Sequence, residues 1–349
     1  MGEESLCEVC QCINSALRLE DALDIIVRSA VERLRLKASS IRLLDPRHET
    51  LHISAAYGLS EVYISKGPVK PEKSILDREA LSGRLVYVED ATQDPRIQYP
   101  GDVKKEGIRS ILCVPIMLEN RPIGVLRAYT GEVRQFTDSE VETLGIFASQ
   151  AAVAVRNARL YRRMQVLSEI ARQIGLTSEL SEVLNLLVEG AARAMGVKAA
   201  SLRLLDRFGE RLTISAAYGL TDEYIAKGPV EVHKSVLDYE VVLEKKPVTI
   251  HDATLDPKFQ YRQEAEREGI RSVLCVPLMA REKVLGVLRV YTGVPYEFSQ
   301  DEIEFLAALA NLGALAIENA HMHKQMKDSY ERLMADVSSW RDWDSWGTR

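Results

Sequence analysis

The chain has 349 residues, enough for two domains of ordinary size that each bury a hydrophobic core. Its formal net charge of −6 and isoelectric point near 5.7 argue against a nucleic-acid-binding protein, which needs a surplus of Lys and Arg to neutralise phosphates. The first residues lack a signal-peptide pattern, and the apolar stretches are too short to span a bilayer. We therefore expect a cytoplasmic protein with no nucleic-acid partner and no membrane segment.

The sequence contains two copies of one domain. ISAAYGL occurs at 53–59 and 214–220, and EGIRSILCVP at 106–115 returns as EGIRSVLCVP at 268–277. The offset between matching phrases is 161 residues in the first part of each copy and 162 residues in the second part. A period of this length is too large for a solenoid repeat and indicates the tandem duplication of a whole domain.

Each copy begins with a helix and continues with short strands. Apolar residues three and four positions apart predict amphipathic helices over 16–34 and 178–195. In the first copy, strands are predicted in SSIRLLD, LHISAAYG, RLVYVED, SILCVPI and PIGVLRAYT, with a short helix in 70–83 that ends at Gly83. This order of helices and strands predicts an α+β fold.

Each copy closes with a long helix that has a clear start. Thr137 with Glu140, and Ser299 with Glu302, have the spacing of a capping box. No proline occurs between Thr137 and Ile174, so the closing helix of the first copy is predicted to continue into the opening helix of the second.

Apolar residues along these long helices have the 4-3 spacing of a coiled-coil seam. In the connecting helix they are Leu160, Met164, Leu167, Ala171 and Ile174, and after the second copy Leu312, Leu315, Asn319, Met322, Met326, Ser329 and Leu333. The pattern favours a parallel homodimer over packing within one chain.

The order of SSIRLLD, AAYGL, DATQDPRIQYP, EGIRSILCVPI, IGVLRAYT and ASQAAVAVRNARLY resembles a GAF domain, and the second copy resembles another that ends in ENAHMH. The resemblance implies two tandem PAS-like domains, each with a central antiparallel sheet, helices on both faces and a small-molecule pocket on the face away from the first and last helices. We predict domains at 1–160 and 176–322, a connecting helix at 161–175, a helical extension at 323–336 and a Trp-rich tail at 337–349.

The resemblance also implies a regulatory function without catalysis. The chain lacks the Asn-Lys pair of cyclic-nucleotide-binding relatives, and Cys113 and Cys275 are followed by Val-Pro where bilin-binding relatives commonly have His. No histidine occupies matching positions in the two copies, so the sequence identifies no cofactor. Two alternatives remain: a redox enzyme similar to methionine sulfoxide reductases of this family, and a purely structural dimerisation module.

The cysteines are predicted to be structural. Alternation in SILCVPI places Cys113 in a strand buried on both faces, where a thiol behaves as a small apolar group, and the same holds for Cys275. Cys7, Cys10 and Cys12 lack a fourth ligand for a zinc or iron–sulfur site, which leaves redox sensing as an alternative for that segment.

Arginines within the predicted strands are the main candidates for ligand binding. A charge at the centre of a sheet requires a counter-ion, which is either an acidic residue of the same domain or a small anionic ligand. The primary candidates are Ser40, Arg42, Arg127 and Tyr129 with their counterparts Ser201, Arg203, Arg289 and Tyr291. The secondary candidates are Tyr57, Tyr99, Arg109, Tyr218, Tyr261 and Arg271.

The tail contains all three tryptophans of the protein, Trp340, Trp343 and Trp346. Their spacing would place them on one side of a helix, where Trp is a frequent interface anchor. The sequence has no kinase, cyclase or phosphodiesterase signature, so we predict a separate output protein that docks on this tail. The alternative is that the tail packs against its own domain or caps the dimer.

Overall fold

The computed structural model describes residues 11–13, 16, 18–45, 50–65, 67–176, 179–257 and 259–344. The chain forms two compact units, Met1–Arg162 and Arg163–Arg349. Their boundary lies within one long helix, close to the start of the segment that the sequence predicts as a connection.

The first unit alternates helices and strands in the predicted order. Its elements are α1 (Leu19–Leu34), β1 (Ala38–Leu44), β2 (Leu51–Tyr57), α2 (Glu61–Ile64), α3 (Ile75–Ala80), β3 (Val86–Val88), α4 (Pro100–Glu106), β4 (Ile111–Leu118), β5 (Arg121–Tyr129) and the first part of α5 (Asp138–Leu176). A 3₁₀ turn at Pro71–Lys73 precedes α3.

The strands of the first unit form one antiparallel sheet in the order β2-β1-β5-β4-β3. The first strand and the last strand are therefore neighbours at the centre, as the sequence analysis expects. In this register Ser40 lies opposite Arg127, and Arg42 lies opposite Val125. The candidate side chains of both strands are thus brought together in the middle of the sheet.

The two faces of the sheet have separate cores. On one face α1 and α5 pack against residues that include Leu112 and Val114. On the other face α2, α3 and α4 cover residues that include Ile111 and Cys113. The alternation predicted for SILCVPI is confirmed, because successive residues of β4 enter opposite cores.

The start of α5 is fixed by its capping box. The Thr137 amide donates to Glu140 Oε2 at 2.8 Å, and the Glu140 amide donates to Thr137 Oγ1 at 3.3 Å. Phe136 and Val141, on either side of the cap, both pack against the helix-side core. Because no proline follows, the helix continues for 39 residues and joins the two units, as predicted.

The second unit repeats the same plan with one additional short strand. Its elements are α6 (Leu180–Met195), β6 (Ala199–Leu205), β7 (Arg211–Tyr218), α7 (Asp222–Ile225), β8 (Val230–Glu231), α8 (Val236–Glu244), β9 (Val248–Ile250), α9 (Arg262–Glu268), β10 (Ser272–Ala280), β11 (Lys283–Thr292) and α10 (Gln300–Asp344). The strand order is β8-β7-β6-β11-β10-β9, so β6 and β11 occupy the centre.

The second part of α5 belongs to the core of the second unit. Ile170 is buried there, and Leu167 and Ile174 pack beside it against residues of α6 and α10. Two positions of the predicted seam are therefore used within the chain, whereas Leu160 and Met164 are exposed.

Within the described residues, α10 over Gln300–Met334 is long and apolar enough to span a membrane by length and composition, with a mean hydropathy of 1.3 in its most apolar window. The expectation that every apolar stretch is too short to span a membrane is therefore wrong for this helix. Its packing accounts for the composition, since 44% of the window is buried and Leu306 and Leu309 lie in the core with β10. A core helix of a soluble protein is consistent with this arrangement.

The central strands approach each other closely at a glycine in each unit. A Cβ on Gly124 would overlap the Arg42 carbonyl oxygen and would lie 2.8 Å from Leu43 Cδ2. We expect Gly124→Ala to destabilise the first unit by about 2 kcal/mol, because the backbones must separate to make room. Chemical denaturation measures the change.

Gly145→Ala in α5 is the matched control. A Cβ at Gly145 has no atom within 4 Å, so this change is expected to stabilise the helix by about 0.5–1 kcal/mol. Equal effects of the two substitutions would contradict the close approach at Gly124.

Candidate functional site

A cavity of about 540 Å³ lies in the first unit, between the central strands and the elements that cover them. Its polar wall comes from β1 and β5, because Arg42 and Arg127 point to the face opposite α1 and α5. The remaining walls come from β2, β4, α2, α3, α4 and the loops 67–70 and 96–99. The lining residues are Arg42, Ile53, Tyr63, Gly67, Pro68, Val69, Lys70, Lys73, Ser74, Leu76, Arg96, Ile97, Gln98, Tyr99, Asp102, Val103, Ile111 and Arg127.

A buried carboxylate pairs with the two arginines of this cavity. Asp77 Oδ1 lies 2.5 Å from Arg127 Nη2, and Asp77 Oδ2 lies 3.7 Å from Arg42 Nη1. Burial favours the neutral acid, but Arg127 and Arg42 outweigh it and lower the pKa of Asp77. Asp77 therefore carries a charge at neutral pH, and the structure supplies the acidic partner that the sequence analysis considered as one alternative.

The position of Asp77 follows from the start of α3. The Ser74 hydroxyl accepts a hydrogen bond from the Asp77 amide at 3.4 Å, so Ser74 caps the helix and Asp77 lies in its first turn. A carboxylate there also interacts favourably with the positive end of the helix dipole. The helix cap thus positions the Asp77 carboxylate next to the central strands.

Two tyrosines and a serine form a polar network beside the arginines. Ser40 Oγ and Tyr129 Oη are 2.9 Å apart, and both side chains are buried. The rings of Tyr63 and Tyr129 meet edge to face at 6.4 Å between centroids. Burial and the neighbouring Tyr129 raise the pKa of Tyr63, so its hydroxyl stays protonated and serves as a donor or an acceptor.

The mouth of the cavity is shaped by Arg96 and Tyr99. Arg96 Nη2 donates to Asp94 Oδ2 at 2.7 Å and to the Tyr87 carbonyl at 2.9 Å, which ties this loop to β3. Tyr99 precedes α4 and is more than half exposed, so its ring is accessible from solvent. Together they place donor groups and an aromatic ring at the entrance.

The second unit carries the same groups with different pairing. Ser201 Oγ and Tyr291 Oη are 2.8 Å apart, and Arg289 pairs with Asp238. Arg203 is fully buried, and its Nε, Nη1 and Nη2 have no hydrogen-bond partner among the described residues. The counterpart of Arg42 therefore lacks the ion pair that Arg42 makes.

Lys227 lies beside this cluster in the second unit. Its Nζ is 3.4 Å from the centroid of the Tyr224 ring and 4.5 Å from that of Tyr261. Burial, followed by the charges of Arg203 and Arg289, lowers the pKa of Lys227 to about 6. At neutral pH the amine is therefore mostly uncharged, and it lies over the faces of the two tyrosine rings.

Arg109 and Arg271 do not join these clusters. Arg109 Nη2 donates to Asp90 Oδ2 at 2.9 Å, and Arg271 makes the same pair with Asp252. In each unit the carboxylate also accepts from the threonine two residues later, so the pair closes the turn that follows β3 or β9.

Tyr57 and Tyr218 lie on the opposite face of the sheet from the cavity. Tyr57 contacts Arg28 of α1, and Tyr218 contacts Arg193 of α6 in the helix-side core. In β2 a β-bulge shifts the alternation of side chains, so Tyr57 shares the helix-side face with Ala55 whereas Ile53 lines the cavity.

The residues that sequence reasoning missed are Tyr63, Asp77, Arg96, Tyr224, Lys227 and Asp238. The sequence itself contained a signal for two of these residues. Asp77 and Asp238 end the repeated phrases KSILD and KSVLD, where an acidic residue follows two apolar residues. A buried acidic residue in the first turn of a helix is a natural partner for an arginine in a strand.

The cysteines of β4 and β10 are inaccessible. Cys113 and Cys275 are 0% exposed, and burial raises the pKa of both thiols. Neither therefore forms a thiolate readily, which agrees with the structural role expected for them. Cys12 is exposed, whereas Cys7 and Cys10 lie outside the described residues. The described part of the chain contains no group of three His, Cys, Asp or Glu arranged for a metal ion.

The predicted partner-binding tryptophans cannot be placed at a site. Trp340 and Trp343 belong to α10, but their side chains lie outside the described residues, as does all of Trp346. Their role stays a prediction.

Comparison with known proteins matches both copies to one family. The family model of the GAF domain matches residues 16–156 and 177–318. A protein of Escherichia coli K12 named "Phosphoenolpyruvate-dependent phosphotransferase system" is 29% identical over 156 residues, which are 44% of this chain and 20% of the relative. The match to its Salmonella typhimurium equivalent is 28% identical with the same coverage, so this chain matches about a fifth of the length of these relatives.

Solved structures show similar matches. The GAF domain of an Acinetobacter phosphoenolpyruvate-protein phosphotransferase is 26% identical with a TM-score of 0.40, covering 44% of this chain and 91% of that one. The GAF domain of the Coxiella burnetii phosphotransferase is 22% identical with a TM-score of 0.43, covering 47% and 98%. Free methionine-R-sulfoxide reductase of Neisseria meningitidis is 18% identical with a TM-score of 0.40, covering 46% and 91%.

The depressed pKa of Lys227 predicts a pH dependence of stability in the second unit. Between about pH 6 and 10.5 the unfolded chain holds a proton on Lys227 that the folded chain has lost, so the free energy of unfolding increases as the pH rises. We expect an increase of about 0.5–1 kcal/mol per pH unit, because partial exposure weakens the full effect. Denaturation followed from pH 6 to 9 measures it.

Lys227→Met should remove this increase, since the variant has no proton to lose at that position. Lys234→Met is the matched control, because Lys234 is exposed and pairs with Glu231 away from the arginines. An unchanged pH slope in Lys227→Met would contradict the assignment.

Proposed function

The chain belongs to the GAF-domain family, and on this basis we propose that it is a non-enzymatic cytoplasmic sensor that binds small, anionic ligands and regulates a separate protein. The observation that carries the proposal is the cavity of about 540 Å³ that opens onto two arginines in the central strands of the first unit. A cavity of this size accommodates a small metabolite. The arginine donors favour a ligand with a carboxylate or phosphate group.

The pairing of Asp77 leaves donor capacity for such a ligand. Each guanidinium has five N–H groups, and Asp77 engages one nitrogen of Arg127 closely and one nitrogen of Arg42 at longer range. Lys70 and Lys73 add positive charge to the cavity wall, whereas Asp102 is the acidic residue among the lining groups. The lining is therefore cationic overall, which supports an anionic ligand.

Several features support a function without catalysis. The buried thiols of Cys113 and Cys275 do not suit thiol chemistry of the kind that a sulfoxide reductase requires. The E. coli relative is named for a phosphotransferase system, but only about a fifth of its length matches this chain. We therefore propose that the ligand acts by regulation of another protein.

We propose that the long helices pass the signal through a parallel homodimer. On its side away from the core of the second unit, α10 presents Leu315, Met322, Met326 and Leu333 as exposed apolar side chains at positions of the predicted 4-3 seam. An apolar stripe on a surface helix is stabilised when a second copy covers it. Ligand binding would then shift the register or the crossing of the paired helices.

We expect Met326→Glu to weaken the homodimer at least about 10-fold, because it places like charges against each other in the seam. Light scattering over a concentration series measures the dissociation. Lys324→Glu, two residues away and outside the 4-3 pattern, is the control and should leave the dimer intact. A wild-type chain that is monomeric at all concentrations would contradict the dimer.

Filling the cavity tests the ligand site. We expect Ile53→Trp to place an indole in the cavity and to abolish the thermal stabilisation given by any anionic metabolite that binds the wild-type first unit. Native mass spectrometry of the purified protein and a thermal-shift screen of carboxylates and phosphates identify the ligand.

Phe208→Ala, on an exposed turn of the second unit, is the control and should retain the response. The proposal fails if no metabolite stabilises the wild-type protein, or if Ile53→Trp responds as the wild type does.

A further inference from the structure

The two units carry the same charged residues on their central strands but neutralise them differently. In the first unit Asp77 is within ion-pair distance of both Arg42 and Arg127. In the second unit Asp238 pairs with Arg289, whereas Arg203 has no hydrogen-bond partner on any of its three nitrogens among the described residues. The two units therefore differ in one contact: Arg42 lies within ion-pair distance of an aspartate, and its counterpart Arg203 does not.

An unpaired arginine at this position is strongly unfavourable. Arg203 is 0% exposed, so water does not solvate its guanidinium. Arginine does not release its proton within the range in which proteins fold, so it cannot become neutral in response to burial. A buried cation of this kind requires an acceptor with a negative charge.

The groups near Arg203 include Arg289, the amine of Lys227 and the hydroxyl of Tyr224. Lys227 is close enough that Arg203 and Arg289 lower its pKa, and the buried Tyr224 hydroxyl has no hydrogen-bond partner among the described residues. The acidic residues that face Lys227 from α9 are Glu264 and Glu268. Glu268 is engaged elsewhere, since its carboxylate accepts from the amide and the hydroxyl of Thr221.

The balance of charged side chains at this site indicates the charge of the ligand that would complete it. Arg203 and Arg289 are opposed by Asp238, the carboxylate that pairs with this cluster among the described residues, so one positive charge remains at neutral pH. An anion bound beside Lys227 would raise the pKa of its amine and restore its proton, which would supply a second positive charge. A carboxylate ligand would neutralise one of these two charges, whereas a phosphate group carries a charge of about −1.5 to −2 at pH 7 and has three acceptor oxygens.

We propose that the second unit binds a phosphate group, either inorganic phosphate or the phosphate of a small metabolite, through Arg203 with Lys227 as the second cationic contact. The proposal rests on the ligand-binding function proposed above. It specifies which unit binds the phosphate group, the charge of the ligand and the residue that contacts it. The location agrees with a ligand site, because Tyr224 and Tyr261 beside Lys227 are the counterparts of Tyr63 and Tyr99 in the first-unit cavity.

The test compares matching substitutions in the two units of the full chain. Thermal unfolding is measured in potassium chloride, acetate, inorganic phosphate and glycerol phosphate at constant ionic strength. Hydrogen exchange in peptides from β1 and β6 assigns each change to its unit. Arg203→Met and Arg42→Met remove the corresponding charge from the second and first unit.

We expect phosphate to raise the unfolding temperature of the wild-type second unit by at least about 3 °C, with no comparable effect of acetate. Arg203→Met should lose this response and should unfold at a higher temperature than the wild type in chloride, because an unpaired charge has been removed. Arg42→Met should retain the response and unfold at a lower temperature, because Asp77 loses one of its two cations. A stronger effect of glycerol phosphate than of inorganic phosphate identifies a phosphorylated metabolite as the ligand.

The proposal is overturned if Arg203→Met keeps the phosphate response, if it is destabilised in chloride, or if acetate stabilises the second unit as much as phosphate does. If Arg203→Met does not fold, Lys227→Met decides, because it leaves Arg203 in place and should weaken phosphate binding about 10-fold. Wild-type affinity in that variant overturns the proposal. If ligand binding to the first-unit cavity is still observed, the proposed sensor function stands in either case.

Discussion

The ion pairs between a short helix and the central strands are the constraint on which the functional face of each unit depends. In the first unit Asp77 projects from the capped start of α3 and contacts arginines on β1 and β5. These contacts hold the covering elements at a fixed place over the sheet. The same face also holds an apolar core that includes Leu76, Val103 and Ile111, and these residues line the cavity beside the arginines.

The opposite face of each sheet has a different role. There the first and last helices pack against apolar residues of all the central strands, and the long helices begin at well-formed capping boxes. Burial of apolar surface there contributes strongly to stability. The cavity-side face combines a smaller apolar core with buried charged groups.

Much of this organisation was predictable from the sequence. Repeated phrases revealed the duplication, alternation placed Cys113 and Cys275 in buried strands, and cap spacing located the start of the long helices. The pairing of Asp77 with Arg127 was not predictable, because the residues are 50 positions apart and the contact depends on how α3 packs. The difference between Arg42 and Arg203 was hidden as well, since both copies have the same arginines and the same aspartate.

The close approach of β1 and β5 at Gly124 also constrains how the binding site can change during evolution. Because the two backbones are in contact beside Arg42, the separation of the arginines on these strands is set by the sheet and cannot adjust to the size of a ligand. New ligand preferences must therefore arise in the loop 67–70 and around α4, which line the same cavity outside the two central strands. A pocket with one rigid wall and one variable wall lets a duplicated domain acquire a second specificity while its fold stays unchanged.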